Sequence, residues 1–342
     1  MKKNIKSLLP DELKAILVEM GESSFRAEQI FKWLHSGVVS FDQMTNISKS
    51  LREKLEEGFY ITVPKVLKKQ VSKLDGTIKY LWELYDGNSV ESVLMSYEHG
   101  NTICISSQVG CRMGCVFCAS TLGGLVRNLE PSEMIDQVLF SQIDSGKKIS
   151  NIVLMGIGEP LDNFDAVIKF LQLVNRSEGL NIGMRHISLS TCGLTEKFDK
   201  LAHYNLQLTL SVSLHAPDDA TRGVLMPINK SCGVDNLLTA CNKYFERTGR
   251  RISFEYAVIS GVNDTLYHAE LLAKKLKNTG SHINLILLNE VAESPLKPST
   301  PEDQKAFVKV LKSHGLNVTV RRRLGGDIDA SCGQLRRKVQ SC

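Results

Sequence analysis

Cys111, Cys115 and Cys118 sit in the run Cys111-Arg-Met-Gly-Cys115-Val-Phe-Cys118. Three thiolates this close in sequence can hold three irons of a cubane iron–sulfur cluster, which normally takes four cysteines. The fourth iron is then left for a ligand that is not protein, an arrangement for catalysis rather than for an electron wire. Two other readings stand beside it. A zinc site favours CxxC pairs and needs a fourth ligand nearby, yet His99 and His186 are far off in sequence. Three inert cysteines would need no ligand at all.

The elements that must position these thiols show from about residue 100 onward. Apolar, strand-like runs occur at 103–106, 152–155, 187–191, 208–214, 252–259 and 283–288. Helical patterns follow them at 132–144, 164–175, 195–203, 234–248, 265–278 and 302–314, and a further strand spans 317–322. Strand-then-helix units in this number predict an α/β fold in which a parallel sheet curls into a partial (β/α)6 barrel. A doubly wound open sheet is the alternative, and in both folds ligands gather at the C-terminal strand ends.

The distinctive polar residues fall at those ends. The cysteine triplet follows the first strand, and Met155-Gly156-Ile157-Gly158-Glu159-Pro160 follows the second. Ser190-Thr191-Cys192 ends the third, Ser213-Leu214-His215 the fourth, and Asn289-Glu290 the sixth. Each alone has an ordinary reading: Ser190 and Ser213 as strand-end hydroxyls, His215 as a satisfied loop histidine, Asn289 as a turn residue. Packing does not explain all of them on one rim. Gly156-x-Gly158 does not indicate a dinucleotide site, because the following Glu159 would repel phosphate.

The first ~95 residues read differently, by the start and stop signals of short helices. Pro10-Asp11-Glu12 opens an amphipathic helix that Gly21 closes. Further helices are expected at 26–35 and 48–57. Strands at 77–85 and 90–97 flank Asp86-Gly87-Asn88-Ser89, a turn signature for a hairpin. The expected division is therefore a small N-terminal helical module with a β-hairpin, residues 1–95, followed by a core at 96–342. The N-terminal part serves either for docking RNA or for packing.

The 342 residues, 42% hydrophobic and 23% charged, describe an ordinary globular protein. No apolar run approaches the ~20 residues of a membrane helix, and Met1-Lys2-Lys3-Asn4-Ile5-Lys6 is not followed by a signal-peptide stretch. Nine irregularly spaced cysteines argue against a secreted disulfide framework, so a reducing cytoplasm and no membrane partner are expected. The net charge of +5 matters less than its placement. Arg321-Arg322-Arg323 and Arg336-Arg337-Lys338 outweigh Asp327 and Asp329, which makes either a polyanion-binding surface or a solvated face.

These motifs resemble the radical S-adenosylmethionine (SAM) superfamily and, within it, the RlmN family of RNA adenine-C2 methyltransferases. The resemblance covers nearly the whole chain. Beyond the triplet it rests on Cys104-Ile-Ser-Ser-Gln-Val-Gly-Cys111, Met155-Gly-Ile-Gly-Glu-Pro-Leu161, Leu225-Met-Pro-Ile-Asn229 and Gly326-Asp-Ile-Asp-Ala-Ser-Cys-Gly-Gln-Leu335. It implies one [4Fe-4S] cluster on Cys111, Cys115 and Cys118, with SAM on the free iron. Two SAM molecules per turnover would serve as methyl donor and radical source. Gly158, Glu159, Ser190, Ser213, Leu214, His215 and Asn289 would line the SAM pocket.

The resemblance also implies the chemistry. Adenine C2 lies between two ring nitrogens and is too electron-poor to attack a sulfonium methyl, so a radical route is needed. Cys332 would become S-methylcysteine and carry the methyl to the base. Cys104 would resolve the protein–RNA adduct by a transient disulfide with Cys332, and Glu91 would accept the proton. The implied partners are 23S rRNA, in its peptidyl-transferase region, tRNA at the adenosine 3′ to the anticodon, and an electron donor such as flavodoxin or ferredoxin.

Read without the resemblance, Cys332 is compatible with a buried structural cysteine, Cys104 with a core residue and Glu91 with an exposed strand carboxylate. Cys192, Cys232, Cys241 and Cys342 match no motif. The alternative activity is that of the resistance-type sibling family, which methylates C8 of the same ribosomal adenosine; Pro160 favours C2. An iron–sulfur electron carrier would want a fourth cysteine and no Glu159-Pro160 or Cys332 apparatus, and a non-catalytic RNA-binding module stabilised by zinc is the third class, separated from both by metal analysis and a visible absorption spectrum.

Overall fold

The computed structural model describes residues 2–289, 291 and 293–335. The run Arg336-Arg337-Lys338, Glu290 and Cys342 lie outside those residues. Within them, ten strands form one sheet in which each strand bonds to its neighbours in sequence. In chain order these are β1 (Lys65–Val71), β2 (Ile78–Glu83), β3 (Ser89–Tyr97), β4 (Gly100–Cys104) and β5 (Ile149–Leu154). Then follow β6 (Ile187–Thr191), β7 (Thr209–Ser213), β8 (Ser253–Val258), β9 (His282–Leu287) and β10 (Asn317–Val320). Pairing from β1 to β4 is antiparallel. From β4 to β10 it is parallel throughout.

Parallel strands need crossovers, and helices supply them. In the first 60 residues lie α1 (Pro10–Glu19), α2 (Arg26–Ser36) and α3 (Lys49–Gly58). The crossovers are α4 (Pro131–Ser145) after β4, α5 (Phe164–Val174) after β5 and α6 (Phe198–His203) after β6. α7 (Asp219–Leu225) and α8 (Val234–Thr248) follow β7, α9 (Leu266–Leu276) follows β8, and α10 (Pro301–Ser313) follows β9. Six strand–helix units run from β4 to α10, the partial (β/α)6 barrel that the sequence predicts. Local chemistry sets the ends: α4 starts at Pro131 with a Glu130–Glu133 capping box and stops at Gly146, whose φ is 65°.

The N-terminal helices do not stand apart. Ile5, Leu13, Leu17, Ile30, Phe31, Leu51 and Leu55 belong to one continuous apolar core with Met134 and Val138 of α4 and Phe170 of α5. Lys6, almost fully buried, pairs with Asp136 of α4 and donates to the carbonyl of Thr62.

Two elements differ from expectation. The hairpin β2–β3 gains an outer strand, β1, whose sequence Lys-Val-Leu-Lys-Lys-Gln-Val lies largely exposed. An edge strand wet on both faces shows no apolar alternation, and its lysines suit an edge that must not pair further. The short helix α7 was also unforeseen; Asp218 caps it by accepting from the Thr221 N–H at 2.8 Å.

Candidate active site

The segment after β4 makes a small antiparallel ribbon, Gln108–Gly110 against Leu125–Asn128, and the three cysteines hang from it. Gly110 has φ of 77°, and a Cβ there would lie 1.9 Å from the carbonyl oxygen of Gly124. Only glycine lets this ribbon close. Cys111, Cys115 and Cys118 all line one cavity at the C-terminal strand ends, where a fold of this class gathers its ligands.

Burial pushes the Cys111 thiol up to about 12. At Cys115, burial first and then the facing Cys118 and Cys111 push in the same direction. Thiols raised by each other need a cation if they are to be held as thiolates. Three thiols on one wall suit a cubane cluster, whose thiolates bind separate irons.

The cavity wall carries the other predicted residues. Gly158 has φ of 107°, and a Cβ there would meet the Gln108 Cβ at 2.6 Å, so the close approach it allows is to Gln108. At Gly156 a Cβ would lie 2.6 Å from the Ile105 carbonyl oxygen, which ties the loop after β5 against the end of β4. Glu159 is buried; its two oxygens accept from the N–H groups of Leu161 at 3.0 Å and Cys192 at 2.7 Å. Burial raises its pKa, and those bonds pull against the rise.

Ser190 and Ser213 line the cavity, and neither hydroxyl has a hydrogen-bond partner among the described residues. His215, buried with φ of 55°, accepts at Nδ1 from the Ala257 N–H at 2.9 Å. That bond leaves the proton on Nε2, and burial pushes the pKa down to about 3, so the ring is a neutral donor. Asn289 donates from Nδ2 to the Cys332 carbonyl at 3.0 Å, while its buried Oδ1 has no partner among the described residues. An acceptor left over at the wall of the cluster cavity fits a ligand with hydroxyl or amino donors, which SAM carries. Leu214 is different: its side chain lies in the apolar core and does not line the cavity.

A second cavity of about 530 Å³ adjoins the first and shares Met155, Asn289, Arg321 and Cys332 with it. Cys104, at the end of β4, opens only onto the second. Burial first, then the neighbouring Cys332, pushes its pKa up to about 12. Glu91 lies on β3 two residues before Val93, which faces Cys104 across the sheet and lines that cavity. Alternation puts Glu91 on the same face. It is 1% exposed and pairs with Lys79 at 3.3 Å, so it is not an exposed strand carboxylate.

The basic run splits. Arg322 and Arg323 are exposed beside the second cavity, but Arg321 is turned inward. Its Nη1 meets the Met155 sulfur at 3.5 Å, and Cys332 is the largest cause of its raised pKa. A guanidinium among sulfurs is not part of a solvated surface.

Sequence reasoning missed several wall residues. Cys192 lines the cavity and is held on both sides of its peptide, by Glu159 and by the buried Arg222. Glu255, on β8, is buried at the cavity; a lone acid in the apolar run Ser253-Phe-Glu-Tyr-Ala-Val258 was the signal. Arg222 gives no such signal, since one arginine in a short helix reads as surface.

Comparison with known proteins places these features in a family. Residues 3–61 match the family described as ribosomal RNA large subunit methyltransferase N-terminal domain, and residues 105–272 match the radical SAM superfamily. The chain is 53% identical to a probable dual-specificity RNA methyltransferase RlmN of Clostridium novyi, over 98% of each protein. It is equally 53% identical to the one named so in Desulforamulus reducens, covering 99% of this chain and 97% of that protein. A crystal structure of a radical SAM methyltransferase from Sphaerobacter thermophilus superposes with a TM-score of 0.92 at 39% identity, covering 97% of this chain and 99% of that one.

Proposed function

This chain belongs to the RlmN family of radical SAM RNA methyltransferases, and on that premise we propose that it methylates C2 of adenosine. The proposed targets are the adenosine in the peptidyl-transferase region of 23S rRNA and the adenosine 3′ to the tRNA anticodon. One observation carries the reading: Cys332 lies in the wall common to two cavities, one bearing the three cluster cysteines and the other bearing Cys104. A single sulfur that faces both can collect a methyl on one side and deliver it on the other.

Cys111, Cys115 and Cys118 would hold the cluster, and Gly158, Glu159, Ser190, Ser213, His215 and Asn289 would hold SAM. When bound, these groups supply the methyl, a reducing electron and a 5′-deoxyadenosyl radical, with two SAM molecules consumed per turnover. Cys332 takes the first methyl as a thiolate nucleophile. Loss of one hydrogen atom from that S-methyl group leaves a carbon radical on Cys332, which adds to C2 and joins protein to RNA. The C2 hydrogen then leaves as a proton to Glu91, and the adduct's extra electron would return to the cluster that Cys111, Cys115 and Cys118 would hold. Cys104 attacks the Cys332 sulfur, its proton completes the new methyl group, and the Cys104–Cys332 disulfide awaits a thiol reductant. Flavodoxin or ferredoxin is the proposed source of the reducing electron.

The exposed Arg322 and Arg323 flank the second cavity and would meet phosphates around a base turned out of its stack. The division proposed for the chain is 1–95 as the RNA-docking part and 96–342 as the catalytic core. The match of residues 3–61 to a methyltransferase N-terminal domain supports an N-terminal unit within that division, while β1–β3, with Glu91, join the sheet of the core.

The test is anaerobic reconstitution with iron, sulfide and reductant, followed by mass spectrometry of the nucleosides of treated RNA. Deoxyadenosine released together with 2-methyladenosine is expected. 8-Methyladenosine would transfer the chain to the sibling activity, and absence of deoxyadenosine would refute the radical route.

A further inference from the structure

Residues 324–335, which carry Cys332, contain only the short 3-10 turn Gly326–Ile328, yet they are tied down along their length. Three of them have left-handed backbone: Gly325 at φ 62°, Asp329 at 49° and Gly333 at 86°. For Asp329, which is not glycine, such a conformation has to be held by its surroundings. Its carbonyl accepts from Lys79 Nζ, on β2, at 3.0 Å.

The turn between β1 and β2 grips the same stretch. Asp75 accepts from the Gly325 N–H at 2.8 Å. Asp327 reaches back and accepts from Ser72 Oγ at 2.6 Å and from the Lys73 N–H at 2.9 Å. The contact is packed as well as bonded, since a Cβ on Gly325 would lie 2.6 Å from Ala330 Cβ and 3.0 Å from Thr77 Cγ2. Past Cys332 the fastening passes to the cluster loop. There the Gly333 carbonyl accepts from the Ala119 N–H at 2.8 Å, and the Leu335 carbonyl from Ser120 Oγ at 2.7 Å.

We propose that the β1–β2 turn is a latch that positions Cys332, with Asp75, Asp327 and Lys79 as positioning residues that hold 325–329 and so present the thiol at the wall between the cavities. The proposal rests on Cys332 being the methyl-carrying thiol, but it concerns only how that thiol is held. None of the three residues lines either cavity. The chemistry asks for such a device: one sulfur must meet a methyl donor, a base and Cys104 in turn, and small errors of placement slow directional reactions steeply. Lys79 also pairs with Glu91 at 3.3 Å, so one ammonium sets the proton acceptor and the thiol-bearing segment relative to each other.

The test uses Asp327→Ala, because that carboxylate is exposed and its loss leaves the core intact. In the full metal-free chain, the rate of iodoacetamide alkylation at Cys332 is followed by peptide mass spectrometry, with the half-buried Cys232 as internal reference. Loss of two bonds to the carboxylate should raise the Cys332 rate about threefold or more and leave Cys232 unchanged. Asp327→Asn, which keeps an acceptor oxygen, should fall between. In reconstituted protein the variant should gain the Cys332 methyl more slowly at unchanged SAM affinity. Equal Cys332 rates in the unaltered chain and Asp327→Ala would overturn the latch, as would a parallel rise at Cys232. If the unaltered chain never gained a methyl on Cys332, the reading of that thiol would fail while the alkylation result stood.

Discussion

Replacing Arg222 by methionine should cost the fold about 4 kcal/mol and loosen the cofactor cavity in the same stroke. Arg222 is 1% exposed, and its guanidinium serves four acceptors from three parts of the rim. Nε donates to the Leu214 carbonyl at 3.1 Å, Nη2 to the carbonyls of Cys192 at 2.7 Å and Ser213 at 3.1 Å, and Nη1 to Asn229 Oδ1 at 2.9 Å. Bonds from a charged donor contribute about 1.5–3 kcal/mol each, so the gross loss is roughly 6–12 kcal/mol. Against this, the variant no longer buries a cation, which saves several kcal/mol. Burial is the first cause of the lowered Arg222 pKa, so that saving is real. Methionine keeps most of the apolar stem, which leaves the polar loss as the main difference.

Urea unfolding of the metal-free chain reads the stability change at constant m-value. Asn229→Ala removes that one acceptor together with the amide's own bonds to Asp219, so it should cost about 2–3 kcal/mol, less than the loss of the whole guanidinium. SAM affinity of the reconstituted variant should fall as well. The Cys192 peptide is held between Arg222 and Glu159, and freeing its carbonyl loosens the amide that fixes the Glu159 carboxylate. A stability loss below about 1 kcal/mol would mean that water replaces the guanidinium at the carbonyls, and the account of the wall would be wrong.

Cys332→Ala should abolish methyl transfer, whereas Cys104→Ala should leave a protein–RNA adduct visible as a shifted band on a denaturing gel; normal turnover by the latter would remove the resolving thiol from the scheme. Glu91→Gln should depress product in a single turnover, and an undiminished yield would rule out its role as proton acceptor. Gly156→Ala should weaken SAM binding by displacing the loop after β5, since the new Cβ would sit 2.6 Å from backbone; unchanged affinity would show that the loop gives way. His35 is buried with neither ring nitrogen partnered among the described residues, and burial first, then Lys6, lowers its pKa from 6.5 to about 4. The neutral ring's contribution is complete above pH 6.5 and lost as pH falls toward 4, so about 2 kcal/mol should be gone by pH 5 at 1.36 kcal/mol per unit. His35→Phe should flatten that slope in acid unfolding, and an unaltered slope would disprove the assignment.

The parts of this molecule written in local pattern were legible beforehand. Buried parallel strands appear as apolar runs, and the six from β4 to β9 overlap the runs that predict them, while the largely exposed β10 overlaps the further strand expected at 317–322. The polar groups at their ends could be read as one rim because the fold class dictates where strand ends gather. What escaped depends on partners distant in sequence. Arg321 reads as one of three surface cations until the curl of the sheet brings it to Met155 and Cys332. Glu91 reads as an exposed carboxylate until Lys79 covers it. Leu214 sits among residues that line the cavity, but strand alternation turns its side chain into the core.

The strand order itself explains why the methyl-carrying sulfur lies where it does. In a flat sheet, neighbouring strands are about 4.8 Å apart, so β10 would stand about 24 Å from β5 and about 38 Å from β2. Yet Arg321, the first residue after β10, touches Met155 at the end of β5, and Asp329 is bonded to Lys79 on β2. Only a curled sheet brings those pairs together, with 324–335 crossing its open side. Cys332 is therefore carried on the segment that crosses the open side of the curled sheet, where it lines both cavities. The two-sided thiol site thus draws on both edges of the sheet. The antiparallel strands outside the (β/α)6 units take part in it, because β2 supplies Lys79 and the β1–β2 turn supplies Asp75.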